Sequence, residues 1–180
     1  MECIGKKGKA HARFEFGCKV SLATTNAVAP GGQFVLGART LPGNPYDGHT
    51  LAAGIAQAER LTGVGIERAN VDRGYRGHDA DRARVILSGQ KRGLTPTLRR
   101  ERRRRAAIEP VIGHMKSDGH LGRNFLRGTE GDAANAMLAA AGHNLRLLLA
   151  WLAWLLAVLI TLATAPRQTG ISGQPRAAPA

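Results

Sequence analysis

Two acidic residues lie among cations at spacings that suit chemistry on a phosphodiester. Asp72 follows the short apolar, β-branched run Val64 to Val71, and Gly74 comes two residues later. Ligand sites in open α/β sheets gather beyond the carboxyl ends of strands, and the glycine lets the backbone turn sharply and leave the carboxylate at the sheet edge. Glu109 lies in a basic stretch predicted to be helical from Thr97 to about Met115. At about 100° per residue, Arg102, Arg105, Glu109 and Lys116 fall within about 60° of one another. A carboxylate in such a row can hold a divalent metal while the flanking cations hold phosphates. Phosphoryl transfer uses that combination, with acidic residues holding metals that stabilise the attacking and leaving oxygens.

Plainer readings fit the same residues. Aspartate is a favoured turn and capping residue, and Glu109 can offset charge through an i,i+4 pair with Arg105. Pro110 disfavours helical geometry at Glu109, so the helix is expected to kink or restart there. Three further features carry less. Cys3 and Cys18 are too far apart for a C-x-x-C motif and suit packing roles. His114, Asp118 and His120 fit no common zinc spacing, and the run Arg99 to Arg105 also suits RNA binding or targeting.

The elements that must position these groups are legible in outline. Phe14 to Thr25 and Gln33 to Thr40 read as the strands of a hairpin, and Thr50 to Leu61 as a helix ending before Gly63. Val64 to Val71 and Arg84 to Leu87 are short strands, and Asp132 is placed to cap an Ala-rich helix that continues into an apolar block. The order predicts an α/β fold with one mixed sheet. Residues 1–146 form one domain in this reading, 147–165 an apolar helix, and 166–180 a disordered Pro-, Gly- and Ala-rich tail.

The 180 residues carry 26 Lys and Arg against 13 Asp and Glu, a formal net charge of +13. An excess of that size favours a polyanion gripped through its backbone. Aromatic residues are only 4%, too few for a surface that stacks unpaired bases, so double-stranded DNA is the partner expected. No apolar stretch follows Met1 as in a secretory leader, which points to a cytoplasmic, nucleoid-associated protein. The block Leu147 to Ala165 is uncharged and close to the roughly 20 residues that cross a bilayer. A helix apolar all round is either core or a membrane span. The reading preferred here is a buried helix at the edge of the core, with a small basic membrane protein as the alternative.

Several of these segments resemble one family. Arg105, Glu109 and Lys116 match the R-x3-E-x6-K part of the signature of DDE transposases of bacterial insertion sequences, although Arg102 stands where that signature has tyrosine. Val71-Asp72-Arg73-Gly74-Tyr75-Arg76-Gly77 resembles the second-aspartate motif, with Arg73 in place of lysine. FEFGCKVSLATT, LPGNPYDGHT, LSGQKRG and GDAANAMLAAAGHNLRLLL are similar to segments of one subgroup. The resemblance implies an RNase H-like mixed sheet with flanking helices. It implies Mg²⁺ or Mn²⁺ held by catalytic Asp72 and Glu109, and DNA contacts from Arg102, Arg105 and Lys116. No small-molecule cofactor is implied, and the partners are duplex DNA and a second copy or a full-length transposase. The family's first catalytic aspartate lies on a strand before the one that FEFGCKVSLATT resembles, and residues 1–13 contain Glu2 but no aspartate. The expectation is therefore an N-terminally truncated catalytic domain, from a shortened gene copy or a start codon assigned too late. A non-catalytic DNA-binding remnant that poisons the full-length enzyme is the alternative from another class.

Overall fold

A computed structural model describes residues 3–5, 14–27 and 29–165. The expected disordered tail lies outside them. In chain order the elements are β1 (Cys3–Gly5), β2 (Phe14–Phe16), β3 (Lys19–Thr24), β4 (Val35–Leu41), α1 (Leu51–Thr62), β5 (Arg68–Val71), β6 (Arg84–Leu87), α2 (Pro96–Arg104), α3 (Ile108–Ser117) and α4 (Gly128–Thr164). The arrangement is mixed α/β, but the described strands form three separate two-stranded sheets: β1–β2, β3–β4 and β5–β6. This corrects the expectation of one mixed sheet, because β3 and β5 do not pair with each other. The strand expected over Phe14 to Thr25 is broken at Gly17, whose φ of 144° is a backbone state that glycine adopts without penalty.

The β3–β4 hairpin is antiparallel, with Lys19 opposite Leu41 and Thr24 opposite Val35. Successive strand residues point to opposite faces, and each face of this hairpin meets a helix. Gly37 lies against Gln57 and Ala58 of α1, where a Cβ would come within 3.0 Å of the Gln57 side chain. Ala38 joins a core with Val111 and Met115 of α3 and Ala136, Ala139 and Ala140 of α4. α1 ends where Gly63 turns left-handed and donates its N–H to the Glu59 carbonyl, a common helix stop. β5 and β6 run parallel, Arg68 opposite Arg84 and Val71 opposite Leu87. Ile86 packs there with Leu94 of the following loop and with Leu98 of α2.

The expected helix from Thr97 to Met115 is instead α2, a 3-10 turn over Arg105–Ala107, and α3. The restart precedes Pro110 and so places it in the first turn of α3. Backbone N–H groups there have no intrahelical acceptor, so the ring costs little. α2 opens on Thr95, whose hydroxyl accepts from Leu98 N, followed by Pro96. α4 starts at Gly128 rather than at Asp132, because the Asp132 carboxylate is engaged by Asn124 Nδ2 at 2.5 Å.

Polar side chains of α4 dock onto the hairpin. Asn144 accepts from Val35 N at 2.9 Å and donates to Val35 O at 2.8 Å, and buried His143 Nε2 lies 3.0 Å from Gln33 O. Trp151 donates to Pro30 O at 2.8 Å and meets Phe34 edge to face. Leu147 is buried, but Leu148, Leu149, Leu152, Trp154, Leu155, Leu156, Leu159, Ile160 and Leu162 are exposed. The preferred reading of 147–165 as a buried helix therefore fails among the described residues, because α4 runs on past the body that its first half covers.

Candidate metal and DNA site

Asp72 directly follows β5 and caps a 3-10 turn, Arg73–Tyr75, where its Oδ1 accepts from Gly74 N at 2.9 Å. The capping role is real, and it occupies one carboxylate oxygen. Gly74 is required by space: a Cβ there would lie 2.6 Å from Asp47 Oδ2 and 3.1 Å from Asp72 Oδ1. Two segments distant in sequence meet at this point. Tyr46 donates its hydroxyl proton to Arg76 O at 2.5 Å, Asp79 N donates to Gly48 O at 3.0 Å, and Ala52 N donates to Asp79 Oδ1 at 2.9 Å. The loop before α1 is thus fastened onto the turn after Asp72.

Ion pairs then set the direction of β3 against β5. Lys19, at the start of β3, pairs with Asp47 at 2.5 Å, and Asp47 abuts Gly74 just beyond the end of β5. Asn26, past the end of β3, donates to Glu101 O at 2.9 Å, and Glu101 pairs with Arg68 at the start of β5 at 3.2 Å. The two strands therefore lie antiparallel, with a cleft of about 1630 Å³ between them.

That cleft gathers four of the five predicted site residues: Asp72, Arg105, Glu109 and Lys116 all line it. Asp72, Glu109 and Lys116 are exposed and Arg105 is half-buried. Among the described residues none of the four is in an ion pair, so the expected Arg105–Glu109 offset is not formed. Arg102 is not with them: its guanidinium donates to Gln90 O on the loop after β6. Asp47 also lines the cleft, and sequence reasoning missed it because its partner Lys19 is far away in the chain.

Hard divalent cations take carboxylate oxygens. Asp72 keeps its second oxygen uncommitted, and Glu109 accepts no hydrogen bond among the described residues, so both fit as ligands. Among those residues, no three His, Cys, Asp or Glu side chains come together in a group suited to a metal. His114 and Asp118 do not form a rival site. Asp118 takes hydrogen bonds from Ser117, His114 and Arg146. Ser117 above all, with His114 and Arg146, holds its carboxyl down at about 2. Its oxygens already serve protein donors.

Residues 79–149 match the family model of the transposase DDE domain. The matched stretch is similar to that domain. It holds Arg105, Glu109 and Lys116 and begins after Asp72. Within the matched stretch, β6, α2, α3 and the packed half of α4 form one run of structure, so the match covers the helices that carry Glu109 and hold the hairpin. No curated protein and no solved structure matches the chain.

Proposed function

We propose that this chain is the part of a transposase catalytic domain that carries two of its metal-binding carboxylates and much of its grip on DNA. The observation that carries this reading is the convergence of Asp72, Glu109, Arg105 and Lys116 on one cleft, from segments separated by an entire strand and helix. Asp72 and Glu109 would hold Mg²⁺ or Mn²⁺. Bound there, such an ion supplies Lewis-acid polarisation of the scissile phosphate and a more acidic water. Arg105 and Lys116 fix the phosphates on either side, so that the attacking oxygen lines up with the bond to be broken. The RNase H-like arrangement belongs to this proposal: β5 ending in one acid, α3 carrying another, and both facing one cleft. The test is Lys116→Ala. It should weaken binding to duplexes of unrelated sequence by a similar few-fold factor and lower the slope of log affinity against log salt by about one. An unchanged slope places Lys116 off the DNA.

A second reading rests on the second half of α4. Thr161 and Thr164 return their hydroxyl protons to carbonyls of their own helix, as a lipid environment requires, and the surrounding leucines are uncovered. The segment is long and apolar enough to cross a membrane. Under this reading the intact chain floats with phosphatidylglycerol-containing vesicles in a density gradient, and a chain ending at Arg146 stays at the bottom. Equal behaviour of the two removes the reading.

A further inference from the structure

Helix α4 carries its leucines in a register that the body of the protein does not use. Leu138, Leu145, Leu149, Leu152, Leu156 and Leu159 follow one another at steps of seven, four, three, four and three residues. Gly142 takes the place that the first step passes over. Alternating steps of four and three make a heptad seam, with Leu149 and Leu156 at a and Leu138, Leu145, Leu152 and Leu159 at d. From Leu138 to Leu159 the seam runs for about 30 Å of helix. Leu148, Leu155 and Leu162 widen it at g, so every leucine from 145 to 162 except Leu147 lies on one arc of about 120°.

The body takes the other side of the helix. Ala136, Ala140, His143 and Leu147 are buried, and they stand at b and f, roughly opposite the middle of the seam. The six seam leucines each expose between 54% and 67% of their surface. With the three at g, and roughly 60–100 Å² lost by each leucine on burial, the seam approaches the roughly 800 Å² per partner of a stable interface. Charge does not oppose its pairing. Arg146 is the only Lys, Arg, Asp or Glu from 133 to 165, and Asp118 pairs with it at 2.9 Å. Lipid tails solvate every face of a helix alike and give no reason for one-sided leucines. A facing helix does.

We propose that the leucine seam of α4 is a self-association surface, occupied in water by the same seam of a second copy of this chain. Each seam leucine enters a hole between four residues of the facing helix, and the two bodies hang on the outer sides of the pair. The seam starts beside the body at Leu138 and continues beyond it, so pairing covers the leucines that the body leaves open. Two chains of +13 repel each other, so added salt tightens this association, whereas it weakens binding to DNA. The inference goes beyond the proposed function and uses neither Asp72, Glu109 nor DNA, so the two can fail separately.

Sedimentation equilibrium of the full chain, without metal, DNA or detergent, should show a reversible dimer that tightens as salt is raised. Leu149→Ala with Leu156→Ala should weaken it by roughly a hundredfold or more. Ile at the same two positions fills the holes again and should restore it, which separates loss of the seam from loss of the fold. Trp154→Ala with Thr161→Ala removes apolar surface at f, on the opposite face, and should leave the dimer within a few-fold of the parent. A parent chain that is monomeric in water overturns the proposal, as does one recovered only in phosphatidylglycerol vesicles, where lipid would be the occupant. Equal weakening by the two alanine pairs overturns it too, since the leucine register would then decide nothing.

Discussion

Nicking of a supercoiled plasmid with Mn²⁺ by a transposase that contains this chain should fall by at least roughly 10³-fold on Glu109→Gln or Asp72→Asn, a loss of the size that removal of an essential catalytic group produces. The substitutions separate chemistry from folding. Asn at position 72 keeps an oxygen that can accept from Gly74 N, so the turn after β5 retains its cap. Glu109 is exposed and unpaired among the described residues, so loss of its charge leaves no partner stranded. Both variants should bind duplex DNA as the parent does. Nicking that survives either substitution within a few-fold removes that residue from the metal site.

The second large effect is on DNA affinity. Arg99, Arg100 and Arg103 are exposed on α2, whereas Arg102 and Arg104 are tied to the carbonyls of Gln90 and Asn26. With Arg105 and Lys116 in the cleft and a chain charge of +13, six or more phosphates are within the protein's means. Affinity for a mixed-sequence duplex should then drop about 10³-fold between 50 and 200 mM salt. Replacing Arg99, Arg100 and Arg103 together by Gln should flatten the log–log slope by about three, and Arg102→Gln should leave it unchanged. Fluorescence anisotropy across a salt series reads both. A slope near zero in the parent chain, or a slope reduced by Arg102→Gln alone, contradicts this division of labour.

Local chemistry was legible in the sequence where it alone decides structure. β6 spans the run Arg84 to Leu87, α1 stops at Gly63, and the β3–β4 pairing follows from two alternating runs around a turn. What escaped depends on distant partners. Helical spacing alone put Arg102 in the cationic row, but the 3-10 turn at Arg105–Ala107 resets the phase between α2 and α3, and the Gln90 carbonyl captures the side chain. Asp132 has the residue type of an N-cap, yet Asn124 engages it and the helix begins earlier. The role of Asp47 depends on Lys19, a contact that no spacing rule foresees. Even the division into separate sheets lies beyond local pattern: β3 and β5 are both good strands, and only the layout shows that they frame a gap rather than a ladder. The apolar run 147–165 reads alike as core or span, and its fate is decided by where the body of the protein ends.

The central claim is that Asp72 and Glu109 hold one divalent site, and iron-directed backbone cleavage tests it most directly. Fe²⁺ substituted for Mg²⁺ and treated with ascorbate and peroxide makes hydroxyl radicals that cut the chain close to the bound ion. Cuts are expected near residue 72 and near residue 109 together, competed away by excess Mg²⁺, and both lost in Asp72→Asn and in Glu109→Gln. Cuts that centre instead on His114 to Asp118, or that persist in either variant, would show that the ion is held elsewhere.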